Sequence, residues 1–146
     1  MAVVTTSQVV DSDAMDHGIK VSTVNISSSD PQSLARFYAA LLGLEIKVDE
    51  PDWVVISGQD SVPIAFEFDQ HFQPPVWPSE PGRPPTQMHL EVQVNDLRSA
   101  LTHALAVGAR LADHQPQNDV RVCFDPAGHP FCLWFDESGE DPAADG

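Results

Sequence analysis

Positive charge is scarce: the 146 residues hold 7 lysines and arginines against 22 aspartates and glutamates, a formal charge of −15. Such an acidic surface repels a nucleic-acid backbone or an anionic membrane at long range, so neutral or cationic partners, or proteins, are expected. Cysteine is nearly absent. Cys123 and Cys132 are too few for a disulfide framework, lack the paired spacing of a structural zinc site, and read as free thiols. No apolar run approaches the roughly 18 residues of a membrane helix. The first basic residue is Lys20, so the N-terminal stretch lacks the charged start of a signal peptide and a cytoplasmic protein is expected.

What is present is globular material. Hydrophobic residues make up 42%, and the length suits one domain. Residues 1–18 and 138–146 are poor in large apolar side chains and carry several acids, so they read as disordered tails around a domain over 19–137.

Within that domain the chain repeats itself. VSTVNISSSDPQSLARFYAALLGLEI, from Val21, and QMHLEVQVNDLRSALTHALAVGARL, from Gln87, are each an alternating strand, an Asp and an amphipathic helix closed by Gly. Asp30 is an N-cap with Pro31 at the first helical position; Leu34, Phe37, Tyr38, Leu41 and Leu42 share a face; Gly43 ends the helix. Asp96 caps the second helix, Leu97, Ala100, Leu101, Ala104 and Leu105 form its stripe, and Gly108 ends it. Further strands are expected at 44–48, 52–57 and 63–69, and at 110–112, 119–124 and 130–135. Each module, about 20–69 and 87–136, is therefore βαβββ. The expected class is α+β, two such modules forming a cupped mixed sheet with helices on the outside. The linker 70–86 carries six of the thirteen prolines. It reads as a stiff connector, or as a segment whose Phe72 and Trp77 lid a cavity or pack on a partner subunit.

Spacing within the repeat equates Thr23 with His89, each seven residues before its capping Asp. The Gly43-to-Gly108 shift of 65 equates Glu67 with Cys132. Period-two alternation then assigns faces. Ile64, Phe66 and Phe68, Met88, Leu90 and Val92, and Phe131 and Leu133 go to the helices. If the Asp125–Gly128 turn pairs symmetrically, Cys123 lies opposite Cys132 and Arg121 opposite Trp134. The second face then collects Thr23, Asn25, Trp53, Glu67, His89, Glu91, Arg121, Cys132 and Trp134. Burying so many unpaired polar groups is costly, so this face is expected to line a wet or ligand-filled cavity. Each residue also has an ordinary role. His89 can be a hydrogen-bonded sheet histidine, Glu67 a partner for Arg121, Cys132 an inert thiol, His129 a solvent-facing turn residue, and Trp53 and Trp134 core or stacking surfaces.

The stretches Asp30-Pro31 through Phe37-Tyr38 to Leu42-Gly43-Leu44, His89-Leu90-Glu91-Val92 with Asp96-Leu97, and Asp125-Pro126-Ala127-Gly128-His129-Pro130-Phe131 carry a further signal. Through them the chain resembles the vicinal oxygen chelate superfamily, which includes glyoxalase I, bleomycin-resistance proteins and extradiol dioxygenases, and most closely its small glyoxalase-like proteins. The resemblance implies a homodimer. In its metal-using members it implies one divalent ion at the positions that here are Thr23, Glu67, His89 and Cys132. Thr23 is a poor ligand, and Cys132 is a soft donor where a hard ion expects nitrogen or oxygen. A zinc site from Glu67, His89 and Cys132 with water is chemically admissible, but the expected state is without a cofactor. Three functions follow. One is capture of a small neutral or cationic molecule, as bleomycin-resistance proteins do. Another is a glyoxalase-type lyase or isomerase, or a dioxygenase-like enzyme, in which a metal works with Glu67 and His89. The third is metal-free acid–base chemistry by His89 with Glu67 or Glu91.

Overall fold

The computed structural model describes residues 17–136, so the expected tails, apart from His17 and Gly18, lie outside the described residues. The first module runs β1 (Val24–Ser28), α1 (Pro31–Leu42), β2 (Glu45–Glu50), β3 (Trp53–Ser57) and β4 (Ile64–Phe68). The second runs β5 (Leu90–Gln93), α2 (Leu97–Val107), β6 (Arg110–Leu111), β7 (Val120–Phe124) and β8 (Pro130–Trp134). Each builds its own mixed four-stranded sheet, in the orders β1-β4-β3-β2 and β5-β8-β7-β6, with β1–β4 and β5–β8 parallel. Among the described residues, no helix is long and apolar enough to cross a membrane.

Local chemistry sets the helix ends where the sequence placed them. Asp30 accepts the Ser33 N–H at 3.1 Å, Pro31 opens the helix, and Gly43 takes a left-handed φ of 69° that a side chain would oppose. Asp96 accepts the Arg98 N–H at 3.2 Å and the Ser99 hydroxyl. The helices are used unequally. Pro31, Leu34, Ala35, Phe37 and Tyr38 are all buried in α1, whereas only Ala104 is buried in α2. Tyr38 stacks on Phe66 of its own module and meets Phe131 of the other edge-on, so one core joins both halves. The helices also touch each other, and His103 Nε2 donates to the Ala40 carbonyl at 3.1 Å. No strand of one sheet contacts a strand of the other among the described residues.

Two register expectations change. Across the β7–β8 hairpin, Val122 pairs with Cys132, Val120 with Trp134, Cys123 with Phe131 and Arg121 with Leu133. The turn is not symmetrical about Asp125–Gly128: Asp125 N–H bonds the His129 carbonyl at 2.9 Å, leaving three residues in the loop, with Gly128 at φ 100°. That is a three-residue hairpin with a glycine bulge, and its odd loop slips the register by one, moving Cys123 and Arg121 to the helix-side set. The second change concerns the repeat. Glu45 pairs with Ser57, twelve residues on, but Arg110 pairs with Phe124, fourteen residues on. The second module therefore gains two residues between β6 and β7, and the shift of 65 becomes 67. By register, the counterpart of Cys132 is Ala65 and the counterpart of Glu67 is Trp134.

Two expected core residues are outside it. Phe68, at the end of β4, is 50% exposed, and Met88, before β5 begins, is 84% exposed. Alternation assigned them a face, but neither is buried on it.

Candidate functional site

The first sheet's open face follows from its pairings: Asn25 beside Ala65, Ser27 beside Glu67, and Trp53 across from Glu67. Ser27 Oγ donates to Glu67 Oε1 at 3.3 Å. The expected Glu67–Arg121 ion pair does not form. Arg121 Nη1 instead donates to the backbone carbonyls of Gln117, Asn118 and Val120, an edge-fixing role.

The second sheet's open face is chemically richer. His89 stands two residues before Glu91, and Glu91 is the cross-strand neighbour of Cys132, so the three project from the same side. His89 Nε2 lies 2.7 Å from Glu91 Oε1, and one donor atom from each of the three lies within 4.8 Å of the other two. Glu67 belongs to no such group among the described residues. The Cys132 thiol is pushed up to about 11, first by burial and then by the Glu91 charge and hydrogen bond. Cys123 is pushed up to about 11 by burial alone. Both thiols are protonated at neutral pH, as suits the inert reading.

The proline-rich linker covers one end of this face. Trp77 packs on Phe124 and His114 and, with Val122 and Ala112, forms a small apolar cluster against Cys132. Val76 and Pro85 form an isolated bridge that folds the linker back on itself. The linker thus seats Trp77 on its own chain, while Phe72 takes the cavity-lining role.

Where the two modules meet, a cavity of about 540 Å³ opens between the β1 and β5 segments under the linker. Its lining includes Asn25, Ser27, Phe72, Thr86, His89 and His129. Of the nine predicted face residues, Asn25 and His89 line it; Thr23, Trp53, Glu67, Glu91, Arg121, Cys132 and Trp134 do not. Thr86 Oγ1 is buried with no hydrogen-bond partner, which is unusual for a buried hydroxyl.

A polar network unforeseen in the sequence forms the cavity wall. Tyr38 OH donates to Asp125 Oδ2 at 2.7 Å, while Asp125 also accepts the Ala127 and His129 backbone N–H groups and faces His129 Nδ1 at 2.8 Å. His129 Nε2 donates to the Ser27 carbonyl at 3.1 Å, and Phe72 lies against its ring with centroids 5.1 Å apart. His129 is therefore not a solvent-facing turn residue: it ties the β7–β8 loop to β1. Burial, and then the Asp125 charge, raise the Tyr38 hydroxyl well above the usual tyrosine range, so it stays a donor. The signal available was the only tyrosine of the chain on a helix's buried face, which needs a polar partner.

The profile of the glyoxalase-like domain family matches residues 23–134, most of the chain. The chain belongs to that family. Its fold is shared by solved proteins at low identity. A glyoxalase/bleomycin resistance protein/dioxygenase family enzyme from Burkholderia phytofirmans PsJN aligns at TM-score 0.62 and 17% identity, over 80% of this chain and 98% of that one. TnmS3, an antibiotic binding protein from Streptomyces sp. CB03234, aligns at 0.54 and 17% over 82% and 97%. The bleomycin-binding protein of Streptomyces verticillus, solved with copper(II)-bleomycin, aligns at 0.53 and 13% over 82% and 98%. No curated protein matches the sequence.

The family resemblance implies a divalent ion at Thr23, Glu67, His89 and Cys132, and these residues do not fit one in this glyoxalase-like chain. Glu67 lies beside Ser27, four residues beyond Thr23. Four residues of strand separate the two by about 13 Å, beyond what a threonine and a glutamate can span to share an ion. Thr23 adds only a neutral hydroxyl, and Cys132 only a soft sulfur.

Proposed function

We propose that this glyoxalase-like protein is a binding protein that captures a small neutral or cationic organic molecule in the cavity between its modules, without an ion at those four positions. The observation that carries this is the cavity itself. At about 540 Å³ it is of the size that buries a drug-sized ligand. Its walls combine apolar surface from Phe72 and Leu90 with polar groups from Asn25, His89 and Thr86, and the Thr86 hydroxyl has no partner within the protein. The formal charge of −15 favours a cation over an anion. Two proteins of the same fold are an antibiotic binding protein and a bleomycin-binding protein, which supports the same class of activity.

The working unit we propose is a homodimer. Ile46 and Val48, on the first sheet's edge strand β2, are 38% and 37% exposed, an apolar edge that a second copy of the chain could cover. Sedimentation should give about twice the 15.9 kDa chain mass.

The test is a thermal-shift screen of the chelator-treated full chain with metal-free bleomycin, other cationic antibiotics and small carbonyl compounds. A ligand present at 100 times its dissociation constant stabilises by about 2.7 kcal/mol and raises the melting temperature by several degrees. Calorimetry of each hit should give saturable binding that His89→Ala weakens. A flat screen together with no calorimetric heat would end this reading.

A further inference from the structure

We propose that the intermodular cavity takes its ligand as an added β-strand, and that the ligand is a short extended peptide with basic side chains, hydrogen-bonded through its backbone to the open edge of β1. This names the class of molecule and rests on the small-molecule reading of the same cavity. Four consecutive β1 residues, 24–27, line the cavity. Successive side chains of a strand point to opposite faces, so a cavity that touches all four meets the strand along its edge, where the backbone is exposed. That edge is open, because β1 pairs with β4 and with no other strand. The Val24 N–H bonds the Pro63 carbonyl at 3.1 Å, and the Ser28 carbonyl accepts the Asp69 N–H at 2.9 Å. Pairing alternates along the strand, so Val24, Ile26 and Ser28 turn their backbone groups to β4, while Asn25 and Ser27 turn theirs to the cavity. His129 Nε2 takes the Ser27 carbonyl. The Asn25 N–H and carbonyl and the Ser27 N–H are left for a ligand.

Among the described residues nothing closes this edge. No Cα of β1 comes within 8 Å of one in β5, whereas paired strands stand about 4.8 Å apart, so there is room for a strand between them. The far wall, residues 87–90, leads into a second open edge: β5 pairs only with β8, and the Val94 N–H bonded to the Trp134 carbonyl at 2.9 Å turns the His89 backbone away from β8 by the same alternation. The linker above contributes Pro75, Pro84 and Pro85, which have no N–H to offer. A peptide matches these walls. It repeats a donor and an acceptor at the two-residue period of β1, which a fused-ring or single-carbonyl compound does not, and strand addition draws its affinity from such main-chain bonds. The formal charge of −15 favours basic over acidic side chains.

The experiment titrates the full chain with the capped peptide acetyl-Lys-Val-Lys-Val-amide by calorimetry, and follows backbone amide hydrogen exchange by nuclear magnetic resonance. One equivalent should bind saturably. Exchange of the Asn25 and Ser27 amides should slow by roughly tenfold or more, while that of Ile26, already turned to β4, changes far less. The same peptide with every backbone nitrogen methylated should bind at least about tenfold more weakly, as should its counterpart with glutamate for lysine at low salt. Asn25→Pro removes one N–H on an edge where proline is tolerated, and should weaken the peptide comparably, with circular dichroism confirming the fold. Should that variant not fold, the wild-type exchange pattern decides. Absence of peptide binding overturns the proposal, as does binding that leaves Asn25 and Ser27 exchange unchanged or that the methylated or glutamate peptide equals. If cationic antibiotics of the ligand screen bind and the peptide does not, strand addition fails and the small-molecule reading stands; if neither binds, both fail.

Discussion

The two modules share a topology and divide the work. The first supplies the core: α1 buries five of its residues and places Tyr38 between Phe66 and Phe131. The second gathers ionisable side chains instead: α2 buries only Ala104, while the open face of its sheet brings together His89, Glu91 and Cys132. The difference arises from small changes of length. Two residues added before β7 move Ala65 opposite the position Cys132 holds, and a three-residue hairpin loop turns Arg121 to the helix-side set. A repeat therefore preserves the packing stripe, which tolerates such insertions, more faithfully than it preserves a site, which depends on register.

If the first helix carries the core, truncating one of its leucines should cost far more than truncating a leucine of the second. Leu34→Ala, at a residue 1% exposed, should lose about 3 kcal/mol in urea unfolding. Leu105→Ala, at a residue 43% exposed, should stay within about 0.5 kcal/mol. Equal losses would dissolve the division between the helices. The polar tie between modules comes next. Tyr38→Phe removes one donor from the buried Asp125 carboxylate, for which a loss of about 2 kcal/mol is expected by the same measurement. A neutral outcome would mean that this hydrogen bond adds little to what joins the halves. Gly128→Ala should cost about 1–2 kcal/mol for its left-handed backbone. It should also disturb the linker, because the new Cβ would meet Pro74 Cβ at 3.0 Å. The smallest effect tests the second face. Because Glu91 raises the Cys132 thiol, Glu91→Gln should lower it somewhat and speed alkylation at pH 8 modestly, burial keeping most of the shift. Cys123, raised by burial alone, should react no faster in that variant.

The fold was legible because it rests on strong local signals: Asp30 and Asp96 as caps, Gly43 and Gly108 as stops, and stripes such as Leu34-Phe37-Tyr38. The site was legible only in parity. Alternation placed Asn25, Glu67, His89, Glu91 and Cys132 on the open faces, since parity survives a shift of two residues. It could not tell that Ala65 rather than Glu67 is the counterpart of Cys132, because that depends on a β6–β7 connection whose length is invisible to a shift measured at the helix ends. Arg121 failed for a related reason, a turn that closes on His129 instead of Gly128. Thr86 carries no sequence pattern of its own, and of the Tyr38–Asp125–His129 network only the lone tyrosine on a buried helix face hinted at a polar partner. They become visible only once the linker and the β7–β8 loop are folded against β1 and α1.

The intermodular cavity is most directly tested by nuclear magnetic resonance of the isotope-labelled full chain, titrated with the tightest compound from the ligand screen. Binding there should shift the signals of Asn25, Phe72, Thr86 and His89 together and saturably, and leave Trp53 and Glu67 on the first sheet's open face unmoved. Shifts centred on Trp53 and Glu67, with Thr86 and His89 silent, would show that the molecule is captured elsewhere.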